Sequence, residues 1–296
     1  MLSNPCPARI IGWRKLGQLL AVAALALLQA CSAVKLAYDN APEFGYWWLD
    51  GYVDFSDAQT IKVREELARL LQWHRANELP KIAELLQKTQ QLALDDVSPG
   101  AACSLFADSR LRFNAVTSQV ETAATVLAMS LSAEQIAKIE RKFGKGNDEW
   151  QRDWLKLGPA ERLDKRVKSN LERAEEFYGK LEDRQVAVLR GALQNSTFDA
   201  ALSYAERLRR QQDLAATLKQ TNGKTSSEAL SALRAWLARA NQSPNPAYRS
   251  YSDKLTQESC ASFSLLHNST TPEQRARAVR RLAAYERDAR ELGGQR

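Results

Sequence analysis

The chain has 296 residues, 44% of them apolar, with 42 Lys and Arg against 35 Asp and Glu, a formal charge of +7. Arg9, Arg14 and Lys15 fall in the first 30 residues, which hold no acid, so from Cys31 onward the balance is 39 against 35. A surplus of four is too thin to track a nucleic-acid backbone, which argues against such a partner, while the apolar content suffices for one large core or two small ones.

In chain order, the first feature is a run from Leu16 to Leu28 built almost entirely of Leu, Ala and Val behind three basic residues. That is the charged n-region and apolar h-region of a signal peptide, and about 13 residues at 1.5 Å each cannot span a ~30 Å hydrocarbon core. Leu28-Gln29-Ala30-Cys31 resembles a bacterial lipobox, in which the cysteine becomes the diacylglycerol-carrying first residue of the mature chain. The expected organisation is a signal peptide over 1–30, a lipidated aromatic-rich lead over 31–55 and an all-helical domain over 56–296. An ordinary signal peptide followed by an incidental cysteine is the alternative. With Cys6 lost in the leader and Cys31 carrying lipid, Cys103 and Cys260 remain, and in an oxidising compartment they are expected to pair; two buried free thiols are the other option.

In the lead, Asp39-Asn40-Ala41-Pro42 reads as a turn, followed by the dense aromatic stretch Tyr46-Trp47-Trp48-Leu49-Asp50-Gly51-Tyr52. These rings suit either a membrane interface or docking into the domain, and Asp50 and Asp54, repelled by anionic headgroups, favour docking.

From Ser56 onward the periodicity is helical. Leu67, Leu70, Leu71, His74, Leu79, Ile82, Leu85 and Leu92 recur at threes and fours, with Pro80 set to kink or divide the run. Asp95 to Gly100 ends it, and a second stripe carries Cys103, Phe106, Phe113, Val116 and Leu127. A helix from Ser132 carries Ile136, Ile139 and Phe143; Gly144 and Gly146 predict a bend or short gap in it. Further helices are expected over Glu161 to Leu181, capped near Gly179, over Asp183 to Leu193, Asp199 to Gln220, around Leu230 to Leu237, around Tyr248 to Leu266, and from Thr271 to Gly293. No window alternates as a half-buried strand does. The fold class is all-α, a multi-helical arrangement of about eight or nine helices, bundled or elongated.

Ser56 with Gln59, Ser132 with Gln135, and Thr271 with Gln274 each place a hydroxyl three residues before a glutamine, at the point where a loop ends; Gln185 follows Leu181 in the same frame without the hydroxyl. Physically this is a capping box: the hydroxyl accepts from first-turn amides while Gln reaches back to the cap's own N–H. The unequal intervals between these glutamines rule out a solenoid. The segments resemble the LTxxQ motif of the Spy and CpxP group of periplasmic helical proteins, and the resemblance implies a chaperone-like or stress-inhibitor role without ATP. Over nearly its full length the chain also resembles a family of uncharacterised proteobacterial lipoproteins with a domain of unknown function. That resemblance rests on Cys31 with its leader, Leu36 to Ala41, Trp47 to Asp54, Trp73-His74-Arg75, Glu78-Leu79-Pro80, Leu131 to Gln135 and Thr271 to Arg275. It implies an address and a fold and no activity.

Enzyme signatures are missing from the sequence: no paired-ligand histidine spacing, no G-x-S-x-G elbow, no P-loop and no dinucleotide glycine pattern. His74 lies on an apolar stripe and reads as a core histidine, and no catalytic residue, metal ligand, cofactor or nucleotide partner is expected. Ser32 behind the lipid cysteine directs the expectation to the outer membrane, periplasmic face. The expected function is a protein-binding or chaperone-like module held to the membrane by its lipid and contacting envelope proteins; the alternative is a structural lipoprotein bracing the outer membrane, peptidoglycan or an envelope complex.

Overall fold

Capping residues and prolines set nearly every boundary in the computed structural model, which describes residues 34–294. The expected leader and Cys31 lie outside the described residues. The described residues before Pro42 cluster separately from those after it; among them 34–39 are helical, and Asn40 Nδ2 donates to Leu36 O at 2.8 Å.

The main unit contains α1 (Ala41–Val53), α2 (Asp57–Asn77), α3 (Leu79–Leu92), α4 (Pro99–Ser130) and α5 (Ala133–Trp150), the last continuing into a π-helical turn over Gln151–Leu155. It goes on through α6 (Pro159–Tyr178), α7 (Asp183–Gln194), α8 (Ala200–Thr221), α9 (Ser226–Asn241), α10 (Pro246–Asn268) and α11 (Pro272–Gly294). The described residues are all-helical, without strands, and none of the helices is long and apolar enough to cross a membrane.

Among the described residues, eleven α-helices and a π turn, besides the helical stretch over 34–39, correct the expected eight or nine, and three places in the chain bear on the count. Pro80 sits in the first turn of α3, where its missing N–H costs nothing, so it divides the run at Glu78; that carboxylate is buried and held by Lys81 (2.8 Å) and Arg112 (3.2 Å). The turn expected at Asp39 to Pro42 is confined to Asn40, and the lead beyond it is helical as α1. The gap expected at Gly144 and Gly146 does not occur. Helix α5 runs through both glycines, where a Cβ on Gly144 would meet nothing and one on Gly146 only the flexible end of the Arg207 side chain, and the irregularity falls later, in the π turn.

Helix α11 runs antiparallel along α3, with Gly293 close to Arg75 O and Gln90 Nε2 donating to Glu286 at 2.6 Å. Two apolar clusters stand out among the described residues. One gathers Val53, Leu131, Ile136, Ile139 and Leu218; the other gathers Val167, Tyr178, Leu181, Leu189, Leu193, Leu266 and Ala278. A smaller one packs Val97 and Ala102 around Cys260, whose Sγ is 2.02 Å from Cys103 Sγ. This disulfide ties α4 to α10 across 157 residues, a closure that stabilises by about 4–5 kcal/mol on the chain-entropy model.

Each main cluster is closed by a pair of glutamines. Gln59 Oε1 accepts from Ser56 N–H (3.0 Å) and from Gln135 Nε2 (2.7 Å), while Gln135 Oε1 accepts from Ser132 N–H (3.0 Å) and from Gln59 Nε2 (3.3 Å). The remaining amide protons go to carbonyls of the partner's turn, Gln59 to Ser130 O (3.0 Å) and Gln135 to Asp54 O (3.0 Å). Gln185 and Gln274 repeat the arrangement: Gln185 accepts from Glu182 N–H and Gln274 from Thr271 N–H, both at 2.9 Å, and they exchange amide bonds of 2.7 and 3.0 Å. Their outer protons go to Ser269 O and Lys180 O. The four helix starts thus meet as two reciprocal pairs, α2 with α5 and α7 with α11.

Gln185 is 0% exposed, so Gln185→Leu strands the Glu182 amide, the Ser269 carbonyl and half of Gln274 away from water. The expected loss is about 2–4 kcal/mol. Gln135→Leu, at a half-exposed site that water can reach, is expected to cost about 1 kcal/mol. Urea denaturation read by circular dichroism checks both, as a lower midpoint at unchanged slope.

Candidate functional site

The glutamine pairs are saturated with hydrogen bonds inside the protein and have no capacity left for a ligand. The open site lies between α6 and α10, a cleft of about 520 Å³, inside the size range of small-ligand pockets. On the α6 side, Arg166, Asn170, Ala174 and Phe177 follow at intervals of three and four, a stripe adjoining the Val167, Leu171 and Tyr178 stripe that enters the core. On the α10 side, Glu258, Ser262, Phe263 and Leu266 face them. Leu189 and Leu193 from α7 and Leu282 from α11 form the apolar floor.

One wall is an aromatic ladder. Phe106 meets Phe263 edge-on with ring centroids 6.1 Å apart, Phe263 stacks on His267 at 6.0 Å, and His267 lies 5.9 Å from Tyr178. Such contacts hold rings in fixed relative orientation. His267 is 1% exposed; its Nε2 lies 2.9 Å from Asp95 O, a group that can only accept, so Nε2 carries the proton and Nδ1 accepts from Tyr178 OH at 2.9 Å. Burial pushes the Tyr178 phenol up to about 12, and burial also pushes the His267 imidazole below its ordinary value, against the opposing effect of the Asp95 carbonyl. Tyr178 thus ties α6 to α10 through His267, and His267 ties α10 to the loop after α3.

Charge is placed at the mouth. Arg166 donates through Nη1 to Leu193 O (2.9 Å) and lays its guanidinium over Phe198, 4.6 Å from the ring centre. Burial pushes its pKa down, while Tyr251 and Glu258 push it up. Burial alone would raise the Glu258 carboxyl; Thr197 N–H, Thr197 OH and Ser196 OH, at 2.8, 3.0 and 3.0 Å, outweigh it and hold that group below the usual range. The result is an apolar trough with a guanidinium on one bank and a carboxylate on the other.

Among the residues singled out from the sequence, Cys103 and Cys260 are brought together beside this cleft, adjoining Phe106 and Phe263. None of Ser56, Gln59, Ser132, Gln135, Gln185, Thr271 and Gln274 lines the cleft. His74 is half-buried on α2, its pKa lowered by burial against the raising effect of Glu78. Arg166, Glu258 and the Tyr178–His267 pair were not foreseen as a site. The one available signal was Phe177, an apolar residue of α6 lying beside the stripe of Leu163, Val167, Leu171, Ala174 and Tyr178.

A family model described as a family of unknown function (DUF6279) matches residues 51–249, about two thirds of the chain, and the chain therefore belongs to that family. The match takes in Gln59, Cys103, Gln135, Gln185 and the α6 and α7 sides of the cleft, and it ends before Cys260 and most of α10. No curated protein and no solved structure matches the chain.

Both histidines have folded-state pKa values below the unfolded value of 6.5, so the unfolded chain takes up protons first as pH falls. Their contribution to stability is complete above about pH 6.5 and is lost as pH drops toward the folded values; carboxylates held below 4.5, such as Glu258, add to the loss only at more acid pH. Thermal melts are expected to show a lower midpoint at pH 5.5 than at 7.5. His267→Gln is expected to cost about 1–3 kcal/mol at pH 7.5 and to flatten that dependence.

Proposed function

We propose that this family member is an envelope lipoprotein, held by lipid on Cys31 to the outer membrane with its helical domain in the periplasm, that binds apolar side chains of other envelope proteins in the α6–α10 cleft in a chaperone-like way. The observation that carries the reading is the cleft, an open trough walled by aromatic rings. Apolar side chains of an unfolded segment would leave water against Phe106, Phe177 and Phe263, while Arg166 and Glu258 would meet its polar backbone or flanking charges. Two sequence features support the setting. The leader ending at Cys31 favours export and anchoring, and the glutamine-bearing helix starts resemble those of the Spy and CpxP group.

The test is light scattering of a denatured model substrate in the presence of the purified protein. Suppression of aggregation is expected at stoichiometric excess, and most of it is expected to vanish in Ala174→Trp, where a bulky ring fills the trough from α6. Ala187→Trp, on the exposed face of α7, is expected to leave it unchanged. Absence of suppression by the unaltered protein would overturn the reading. Metabolic labelling with palmitate, lost in Cys31→Ser, checks the anchor separately.

A further inference from the structure

Helix α1 has two faces of different character. Tyr46, Tyr52 and Val53 turn into the domain: Tyr46 OH is 3.1 Å from Thr60 Oγ1, its ring lies 6.0 Å from Phe55 and 3.9 Å under the Arg64 guanidinium, and Tyr52 meets Phe143 edge-on at 6.2 Å. Phe44, Trp47 and Trp48 stand on the other side, 54%, 61% and 64% exposed. With Gly51, where no atom lies within contact of a would-be Cβ, they occupy positions i, i+3, i+4 and i+7, one stripe of the helix. Three large rings exposed side by side on one short helix form a patch of the kind that marks an interaction surface.

We infer that this stripe seats in the headgroup layer of the membrane that holds Cys31, laying α1 along the lipid surface. The inference rests on the proposed lipidation of Cys31, and three observations point to lipid as the occupant. The exposed side chains are Trp and Phe, rings that settle at a membrane–water boundary, with Trp47 and Trp48 bringing indole N–H groups that can donate to headgroups. Phe44 follows Cys31 by 13 residues, a stretch that reaches at most about 45 Å when fully extended, so an anchor at Cys31 keeps α1 near the bilayer. Charge complements an anionic surface as well. Arg141, Lys142 and Lys145 are exposed on α5, which packs against α1 through Phe143, and Lys142 reaches over the Tyr52 ring at 5.5 Å.

The acids nearby are largely occupied. Glu43 pairs with Arg64, Asp50 Oδ1 accepts from Phe55 N–H at 2.8 Å, and Asp54 pairs with Lys138 at 3.2 Å. The repulsion that favoured docking of the lead is thereby reduced, and the two uses of its aromatics divide between the faces of one helix.

The experiment reconstitutes the full acylated protein into vesicles of phosphatidylethanolamine and phosphatidylglycerol, and reads tryptophan emission against a phospholipid carrying a doxyl quencher high on its acyl chain. The expected result is quenching in the unaltered protein that falls by more than half in the double variant Trp47→Phe, Trp48→Phe. Equal quenching in the two proteins would overturn the inference. So would protection of Trp47 and Trp48 from acrylamide without doxyl quenching, which would place a protein partner or a second copy on the stripe. Flotation separates the two levels of the argument: protein that floats with its lipid but shows no quenching from these tryptophans refutes the seat alone, while protein that fails to float refutes the anchor and the seat together.

Discussion

A primary amide is the one uncharged side-chain group that offers two protons and a carbonyl oxygen with two lone pairs, and the domain uses that capacity at two places where helix turns meet. In each place a glutamine accepts from the N–H that opens its own helix, exchanges a pair of bonds with a second glutamine, and donates its last proton to a carbonyl two residues ahead of the partner's cap. Four turns that would each leave polar groups exposed to an apolar cluster become two sealed joints. Glutamate could not donate, lysine could not accept, and asparagine is one methylene short of closing the box. The hydroxyl is the more replaceable partner: Glu182 occupies the cap before Gln185, and Gln185 still accepts from its N–H and still pairs.

The joints connect parts of the chain that are 76 and 89 residues apart, so they determine topology as well as local order. The first lies against Leu131 and Ile136, the second against Leu181, Leu189 and Ala278, and polar and apolar burial at each site depend on one another. The turns are shaped to fit. Asp54 takes a left-handed conformation (φ 64°) just where its carbonyl meets Gln135, and at the corresponding turn Gly179 (φ 75°) leaves room for the Arg277 side chain, 3.1 Å from where a Cβ would sit. Aspartate and glycine tolerate that region better than other residues do.

Helix type was legible throughout, because apolar spacing at threes and fours survives any arrangement of the helices, and the starts at Ser56, Ser132 and Thr271 were legible because capping chemistry is local. The pairing of those starts was not: nothing in a capping box says which other box it will meet. Misread boundaries share a cause. Gly144 and Gly146 looked like breakers, yet α5 runs through both, the packing of Ile136, Ile139 and Phe143 outweighing a cost of about 1 kcal/mol for each glycine. Pro42 suggested a turn and stands instead in the first turn of α1, where proline is tolerated, whereas Pro80 does divide its run, from the first turn of α3. The cleft was hidden more deeply. Its lining comes from six helices and the loops after α3 and α7, and Arg166, Glu258 and His267 acquire meaning only when those elements converge.

An apolar trough of this kind persists only if its walls are prevented from closing over it, since collapse would bury the same rings without a ligand. Each wall is tied elsewhere. Helix α10 is bonded to α4 through Cys260, to the loop after α3 through His267 and Ser264, and to the loop after α7 through Glu258. Helix α6 is joined to α7 through Arg166 and at its end by the Gly179 turn, which the second glutamine joint grips at Lys180 O. Where the walls do meet, Tyr178 and His267 set a specific hydrogen-bonded contact. The cost of keeping Phe106 and Phe263 partly open is thus met by polar bonds and a covalent link outside the trough, and a ligand entering it has little protein ordering left to supply.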